Sequence, residues 1–175
     1  AREATPPGDY EGTIDTVAAL VRRARAQAPK AQGVGLGHPG SSSPMNGLHR
    51  NANSTCLNGK PLLADLARAL DMPVRGANDA NCLALSEAID GAGTGVRTVF
   101  GVILGTGCGG GVVVDRRVVE GANGIAGEWG HMPLPGASSA ELAMRCWCGR
   151  HGCLELFLSG PGVEADHVQI GRAHV

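Results

Sequence analysis

The chain is poor in aromatic residues, with two Phe, one Tyr and two Trp in 175 positions. Its core must therefore rest on Leu, Val and Ala, which a hydrophobic content of 43% supplies. An excess of either charge is also missing. Fifteen Lys and Arg against sixteen Asp and Glu give a formal charge of −1, which argues against a nucleic-acid groove or an anionic membrane as the main partner. No apolar run approaches the roughly 20 residues of a membrane-spanning helix. There is no signal-peptide pattern, and the first residue is Ala rather than Met. Cys56, Cys82 and Cys108 stand as isolated thiols, a usage that fits a reducing cytoplasm better than secretion. Glycine, by contrast, is abundant at 28 residues. It falls in clusters without a three-residue period, so collagen is excluded, and tight turns and close approach of backbone to ligand are expected.

Along the chain, Ile14, Val17, Leu20, Val21 and Ala24 recur at helical spacing and predict a helix over 13–28, with Asp9 able to cap its start and Pro29 ending it. Arg22, Arg23 and Arg25 lie off that stripe and read as a solvated face. Residues 34–36 read as a short strand entering a loop rich in Gly, Pro and Ser at 37–44. Such a loop is where α/β proteins place ligand contacts, and a plain surface turn explains it equally well. Asn51 and Asn53 offer amides able to grip hydroxyls. A helix follows from Pro61 through Leu62, Leu66 and Leu70, closing near 71–73. A strand from Val74 then feeds Asn78, Asp79 and Asn81 at the start of another helix. Asp79 at that junction either caps orphan backbone donors or faces a ligand as a general base. The glycines at 91, 93 and 95 mark a hinge or domain boundary. Beyond it, strands are expected over 98–104, 112–114 and 118–119. The intervening bend at 105–111 is either a structural hairpin or a loop whose amides and Thr106 hydroxyl meet a phosphate. It is not a dinucleotide fingerprint, since no helix follows, and not a P-loop, since it lacks the Gly-Lys-Ser/Thr ending.

Residues 127–155 concentrate the chemistry. Cys146, Cys148 and Cys153, with His131 upstream, are the donors a closed tetrahedral structural Zn²⁺ takes. Gly149 and Gly152 let the backbone fold back around an ion. A disulfide scaffold and buried free thiols are the alternatives. Glu128 and Glu155 lie in the same stretch, while Trp129 and Trp147 read as packing residues.

These segments together resemble the ROK family of sugar kinases, and most closely its bacterial fructokinases. The resemblance is carried by Gly37-His38-Pro39-Gly40, residues 51–59, Ala77-Asn78-Asp79-Ala80-Asn81-Cys82, residues 104–111, Gly127-Glu128-Trp129-Gly130-His131 and residues 146–155. They cover nearly the whole chain in the family's order. The resemblance implies an α/β, actin-like (ribonuclease-H-like) two-domain kinase fold. Residues 1–92 would form the rest of an N-terminal domain and 93–175 the start of a C-terminal one. It implies Asp79 as general base and Gly40, Ser41, Asn78, Glu128, His131 and Glu155 around the sugar. Gly105, Thr106 and Gly107 would belong to the ATP-phosphate site, and His131, Cys146, Cys148 and Cys153 would hold zinc. Mg²⁺ would arrive with ATP, fructose is the first-choice hexose, and a cytoplasmic homodimer is the expected form.

The departures from the pattern matter as much. The family's Asp-x-Gly-Gly-Thr phosphate loop does not occur in the sequence, and both ends read as cut, so an internal piece of a longer chain is expected. Its last residues, from 162 onward, read as too polar and short to complete a domain. Cys56 stands where the fructokinases commonly have Trp, and Ser42 where Ile is usual. Ala77 stands where many other members carry Glu, which favours the fructokinase branch. The family's sugar-sensing transcriptional regulators are the second reading. Retention of Asp79 speaks against it, because a regulator needs sugar binding but no base. An inactive kinase remnant is the third.

Overall fold

The computed structural model describes residues 2–173. Ala1 and Val175, the outer ends of the two domains expected from the sequence, lie outside the described residues. The chain forms two compact units. One is built from the residues up to Asp79 together with Ala122–Gly124, the other from Ala80–Gly121 and from Ile125 onward. The glycine run at 91–95 lies inside the second unit.

The first unit opens with helix α1 (Tyr10–Gln27). Asp9 begins it, its carboxylate accepting from the Gly12 amide at 3.0 Å, so the helix starts earlier than the apolar stripe alone indicates. Strand β1 (Val34–His38) pairs in parallel with β4 (Val74–Asn78), with His38 opposite Asn78. Between them lie a two-residue ladder of β2 (Ser41–Ser42) with β3 (His49–Arg50), a 3-10 turn over Thr55–Leu57, and α2 (Leu62–Leu70). Helix α2 stops where Asp71 takes a left-handed conformation, φ 49°. Tyr10, Ile14, Ala52, Leu57, Leu62 and Leu66 form the core, joined by Val17, Leu36 and Val74. The one tyrosine of the chain is thus a core residue, and its hydroxyl donates to Asp65 Oδ2 at 2.6 Å. Burial, and then that hydrogen bond, push the phenol well above its ordinary range.

The second unit begins with α3 (Asp79–Ile89) from its second residue on. A meander of β5 (Thr98–Leu104), β6 (Cys108–Val114) and β7 (Arg117–Val118) follows. The sequence places the second of these strands at 112–114, but the structure carries it back to Cys108, so most of the glycine bend is strand. The reason is packing. A Cβ on Gly101 would stand 2.8 Å from Ala84 Cβ, and one on Gly111 would stand 2.8 Å from the Ala80 carbonyl. Their absence lets α3 lay its buried Ala80, Ala84 and Ala88 close against the ladder. Ala84, Ala88 and Val113 centre this core, with Leu85, Val99 and Val118 around them. The third strand forms one residue earlier than expected. A 3-10 turn at Trp129–His131, α4 (Ser139–Ala143), α5 (Glu155–Leu158) and α6 (Gly160–Ala173) complete the unit. The polar tail therefore contributes a helix. Among the described residues, no helix is long and apolar enough to cross a membrane.

Tyr10→Phe keeps the ring in the core and removes the donor from a partly buried carboxylate that retains Arg68 at 2.8 Å. We expect it to lower stability by about 1–2 kcal/mol, read as a lower urea midpoint at unchanged m-value.

Candidate active site and metal centre

In the first unit the candidate residues gather at the carboxyl ends of the two parallel strands, where open α/β sheets place ligands. Gly40 has φ +70°, and a Cβ there would fall 2.3 Å from the Arg50 carbonyl, so only glycine fits this turn. Asn78, at the end of β4, donates from Nδ2 to the Gly40 carbonyl at 3.1 Å and ties the loop to the strand. Ser41 sits in the β2–β3 ladder opposite Arg50. Its Oγ is shielded from solvent without a hydrogen-bond partner among the described residues, a costly state for a hydroxyl that a ligand could relieve. Asp79 is exposed and is the first residue of α3. The structure thus brings Gly40, Ser41 and Asn78 together, with Asp79 next in the chain.

Two features of this region escape the sequence. His49, 1% exposed, donates from Nε2 to the Pro39 carbonyl at 2.7 Å and stands edge-on to His38, with ring centroids 4.8 Å apart. Burial, with the charge of His38 acting the same way, pushes the His49 imidazole below its ordinary range against the opposing pull of the Pro39 hydrogen bond. It therefore supports the loop as a neutral ring. Beside the loop lies a cavity of about 420 Å³, lined by Leu36, Leu57, Leu62 and Leu66 with His38 and Cys56. The sequence offers only composition at these places, and neither feature has a local motif.

In the second unit, Gly105, Thr106 and Gly107 form the turn between β5 and β6, with Thr106 exposed. The turn is anchored from outside. Glu155, at the start of α5, accepts from the Cys108 amide at 3.0 Å through Oε2, and the Gly160 amide donates to the Gly105 carbonyl at 2.7 Å. A Cβ on Gly107 would stand 2.6 Å from Glu155 Oε2, so glycine at 107 makes room for the carboxylate. Glu128 is exposed and immediately precedes the turn that carries His131.

His131, Cys146, Cys148 and Cys153 converge. Their donor atoms all lie within 4.8 Å of one another, with His131 Nδ1 3.7 Å from Cys146 Sγ and Cys148 Sγ 3.8 Å from Cys153 Sγ. Backbone bonds between Cys146 N and the Arg150 carbonyl, and between Leu154 N and the Met132 carbonyl, close the knuckle around them. Tetrahedral Zn–S bonds of about 2.3 Å place sulfurs about 3.8 Å apart, so the donors fit that ion in both type and spacing. All six cysteines are free thiols. Burial and the neighbouring thiols push Cys153 up to about 12, and burial raises Cys146 as well. Burial also acts upward on Cys148, but the Arg150 amide and the adjacent thiols outweigh it and the net direction is down. Three thiolates at this spacing repel one another unless a cation joins them.

The two tryptophans separate. Trp129 is a packing residue as expected, donating to the Gly109 carbonyl at 2.7 Å and standing edge-on to Phe100. Trp147 is not. It is 60% exposed, its indole donates to Glu155 Oε1, and its ring meets His131 edge-on at 5.1 Å. No sequence pattern signals this, since the residue lies in a tight turn closed by the Gly149 amide on the Cys146 carbonyl at 3.0 Å.

Comparison with known proteins follows the same lines. A model of the ROK family matches residues 1–174. The N-acetyl-D-glucosamine kinase of Vibrio cholerae serotype O1 is 44% identical over 168 residues, covering 93% of this chain and 56% of that protein. The chain thus spans a little over half the length of that curated relative. Among solved structures, a ROK family glucokinase from Streptomyces griseus in complex with glucose and AMPPNP superposes with a TM-score of 0.79 at 30% identity, covering 98% of this chain and 53% of that one. A ROK family transcriptional regulator, a homolog of the E. coli MLC protein, superposes at 0.73 and 23% identity, over 93% of this chain and 41% of that one. At that identity the likeness speaks for fold alone.

A histidine held neutral by the fold gives stability that is present above its unfolded pKa, about 6.5, and is lost on acidification as the unfolded chain takes up the proton first. We expect the urea midpoint to fall between about pH 7 and about pH 5. In His49→Gln, which keeps an N–H for Pro39 but does not titrate, the fall should be smaller; an equal fall in both proteins would exclude His49 as a source.

Proposed function

Because this chain belongs to the ROK family and has its actin-like ATPase fold, we propose that the whole protein phosphorylates a hexose with ATP. The observation that carries this reading is the 44% identity to a sugar kinase across nearly all of the chain. Among hexoses that relative favours N-acetyl-D-glucosamine, and the fructose expected from residues 51–59 and Ala77 gives way to it. The regulator reading draws on fold likeness alone, and it has no use for the carboxylate at 79.

In the proposed reaction Asp79 takes the proton of the accepting hydroxyl. That oxygen bonds to the γ-phosphorus, the bond to the β–γ bridging oxygen breaks, and ADP leaves. Gly40, Ser41, Asn78, Glu128, His131 and Glu155 are the residues assigned to the other hydroxyls. Gly105, Thr106 and Gly107 offer amides and a hydroxyl to the ATP phosphates, with Mg²⁺ carried by the nucleotide. His131, Cys146, Cys148 and Cys153 would hold Zn²⁺, whose four protein ligands leave no open position, so its contribution there is structural. With one ring nitrogen on the metal side, His131 keeps the other for the sugar in a fixed tautomer.

Two outcomes test this in the whole protein. Asp79→Asn should lower kcat with N-acetyl-D-glucosamine by at least about a hundredfold while hexose binding by calorimetry persists; undiminished turnover would remove Asp79 as the base. Elemental analysis should find about one zinc per chain, and Cys148→Ala or a strong chelator should remove it and lower the melting temperature. A metal-free protein of unchanged stability would refute the zinc assignment.

A further inference from the structure

We propose that Trp147 is a positioning residue that sets the orientation of Glu155, and with it the protein's affinity for its hexose. This role rests on the sugar-kinase reading. Residues 145–151 form a tight loop, with Arg145 bridged to His151 and the Gly149 amide donating to the Cys146 carbonyl at 3.0 Å across a turn. Cys146 and Cys148 bring their sulfurs into the knuckle, and the side chain between them lies outside it, largely exposed. An indole 60% exposed adds little to a core, so burial does not account for its placement. Its contacts do. The indole N–H donates to one carboxylate oxygen of Glu155, and the Cys108 amide donates to the other at 3.0 Å.

Two donors on two oxygens fix both the position and the plane of a carboxylate, because rotation about its last torsion would break one bond or the other. Each oxygen keeps a lone pair for a further donor, so Glu155 remains a competent acceptor for a ligand hydroxyl. One anchor comes from the β5–β6 turn and the other from the knuckle, so the carboxylate records the position of both. The same indole stands edge-on to His131, with ring centroids 5.1 Å apart. A single exposed side chain thus borders two of the residues offered to the sugar. Aromatic rings suit this task, since they have few rotamers to freeze.

The test uses the whole protein with N-acetyl-D-glucosamine and two readouts. Trp147→Phe keeps the ring beside His131 and deletes only the N–H. It should raise KM about tenfold, leave kcat within about twofold and leave the melting temperature unchanged. Trp147→Ala, which also removes the ring, should raise KM further. In a Glu155→Gln background the Trp147→Phe change should add little, because the two act as one unit. Independently of turnover, the Trp147 indole N–H resonance should shift in Glu155→Gln and exchange faster with solvent. An unchanged KM in Trp147→Phe, or additive effects of the two substitutions, overturns the positioning role. An indole resonance unmoved by Glu155→Gln overturns the pairing itself. A wild-type protein without hexose turnover overturns the sugar-kinase reading and the affinity half of this one, and the resonance then still decides the pairing.

Discussion

The second unit depends on the absence of Cβ atoms at a few places. Gly101 and Gly111 let the alanine face of α3 lie against the β5–β6 ladder, where any side chain would sit about 2.8 Å from helix atoms. Gly107 leaves the volume that Glu155 occupies, and a Cβ on Gly130 would fall 2.2 Å from the Cys108 carbonyl. Each contact is ordinary once made, and at Gly101, Gly111 and Gly130 the neighbour is backbone or a packed alanine that cannot yield to one carbon more. The scarcity of aromatics and the surplus of glycine noticed in the composition thus have one origin: the unit is held by close backbone approach rather than by bulky side chains. The entropy lost in ordering so many glycines is offset where ladder hydrogen bonds and the knuckle fix them.

The first unit answers the same problem differently. Its core is a conventional packing of Leu, Ile and Val from two helices over two parallel strands. Tyr10 enters it with a partner, Asp65, and His49 is buried beside it as a neutral ring. Both follow from the cost of burying a charge without compensation. The result is a rigid floor under a loop whose carbonyls at 39 and 40 are taken by His49 and Asn78. Loops held from below in this way present their remaining groups at fixed positions.

Much of this was legible in the residues. The apolar stripe and Asp9 gave α1 to within a few positions, the Leu repeat from Pro61 gave α2, and 98–104 matched β5 at both ends. The four-residue donor cluster was legible because ligand chemistry restricts both type and spacing. The extent of β6 was not, because glycine has no intrinsic preference for strand and only the α3 contact, distant in sequence, decides it. The roles of His49 and Trp147 were hidden for a related reason. Each depends on a partner, Pro39 or Glu155, that no periodicity links to it.

Glu155 shows why a recognition carboxylate and a catalytic one are built unlike each other. An acceptor for neutral hydroxyls must stay ionised and hold one orientation. Two N–H donors serve the second need, since each fixes one oxygen. A general base must instead accept a proton during the reaction, so hydrogen bonds that hold its charge work against it. Glu155, half-buried with an amide on one oxygen and an indole on the other, is held in one orientation, in keeping with the hydroxyl contact proposed for it. The glycine turn and the cysteine knuckle are fastened to the same side chain, so whatever moves either one moves this carboxylate.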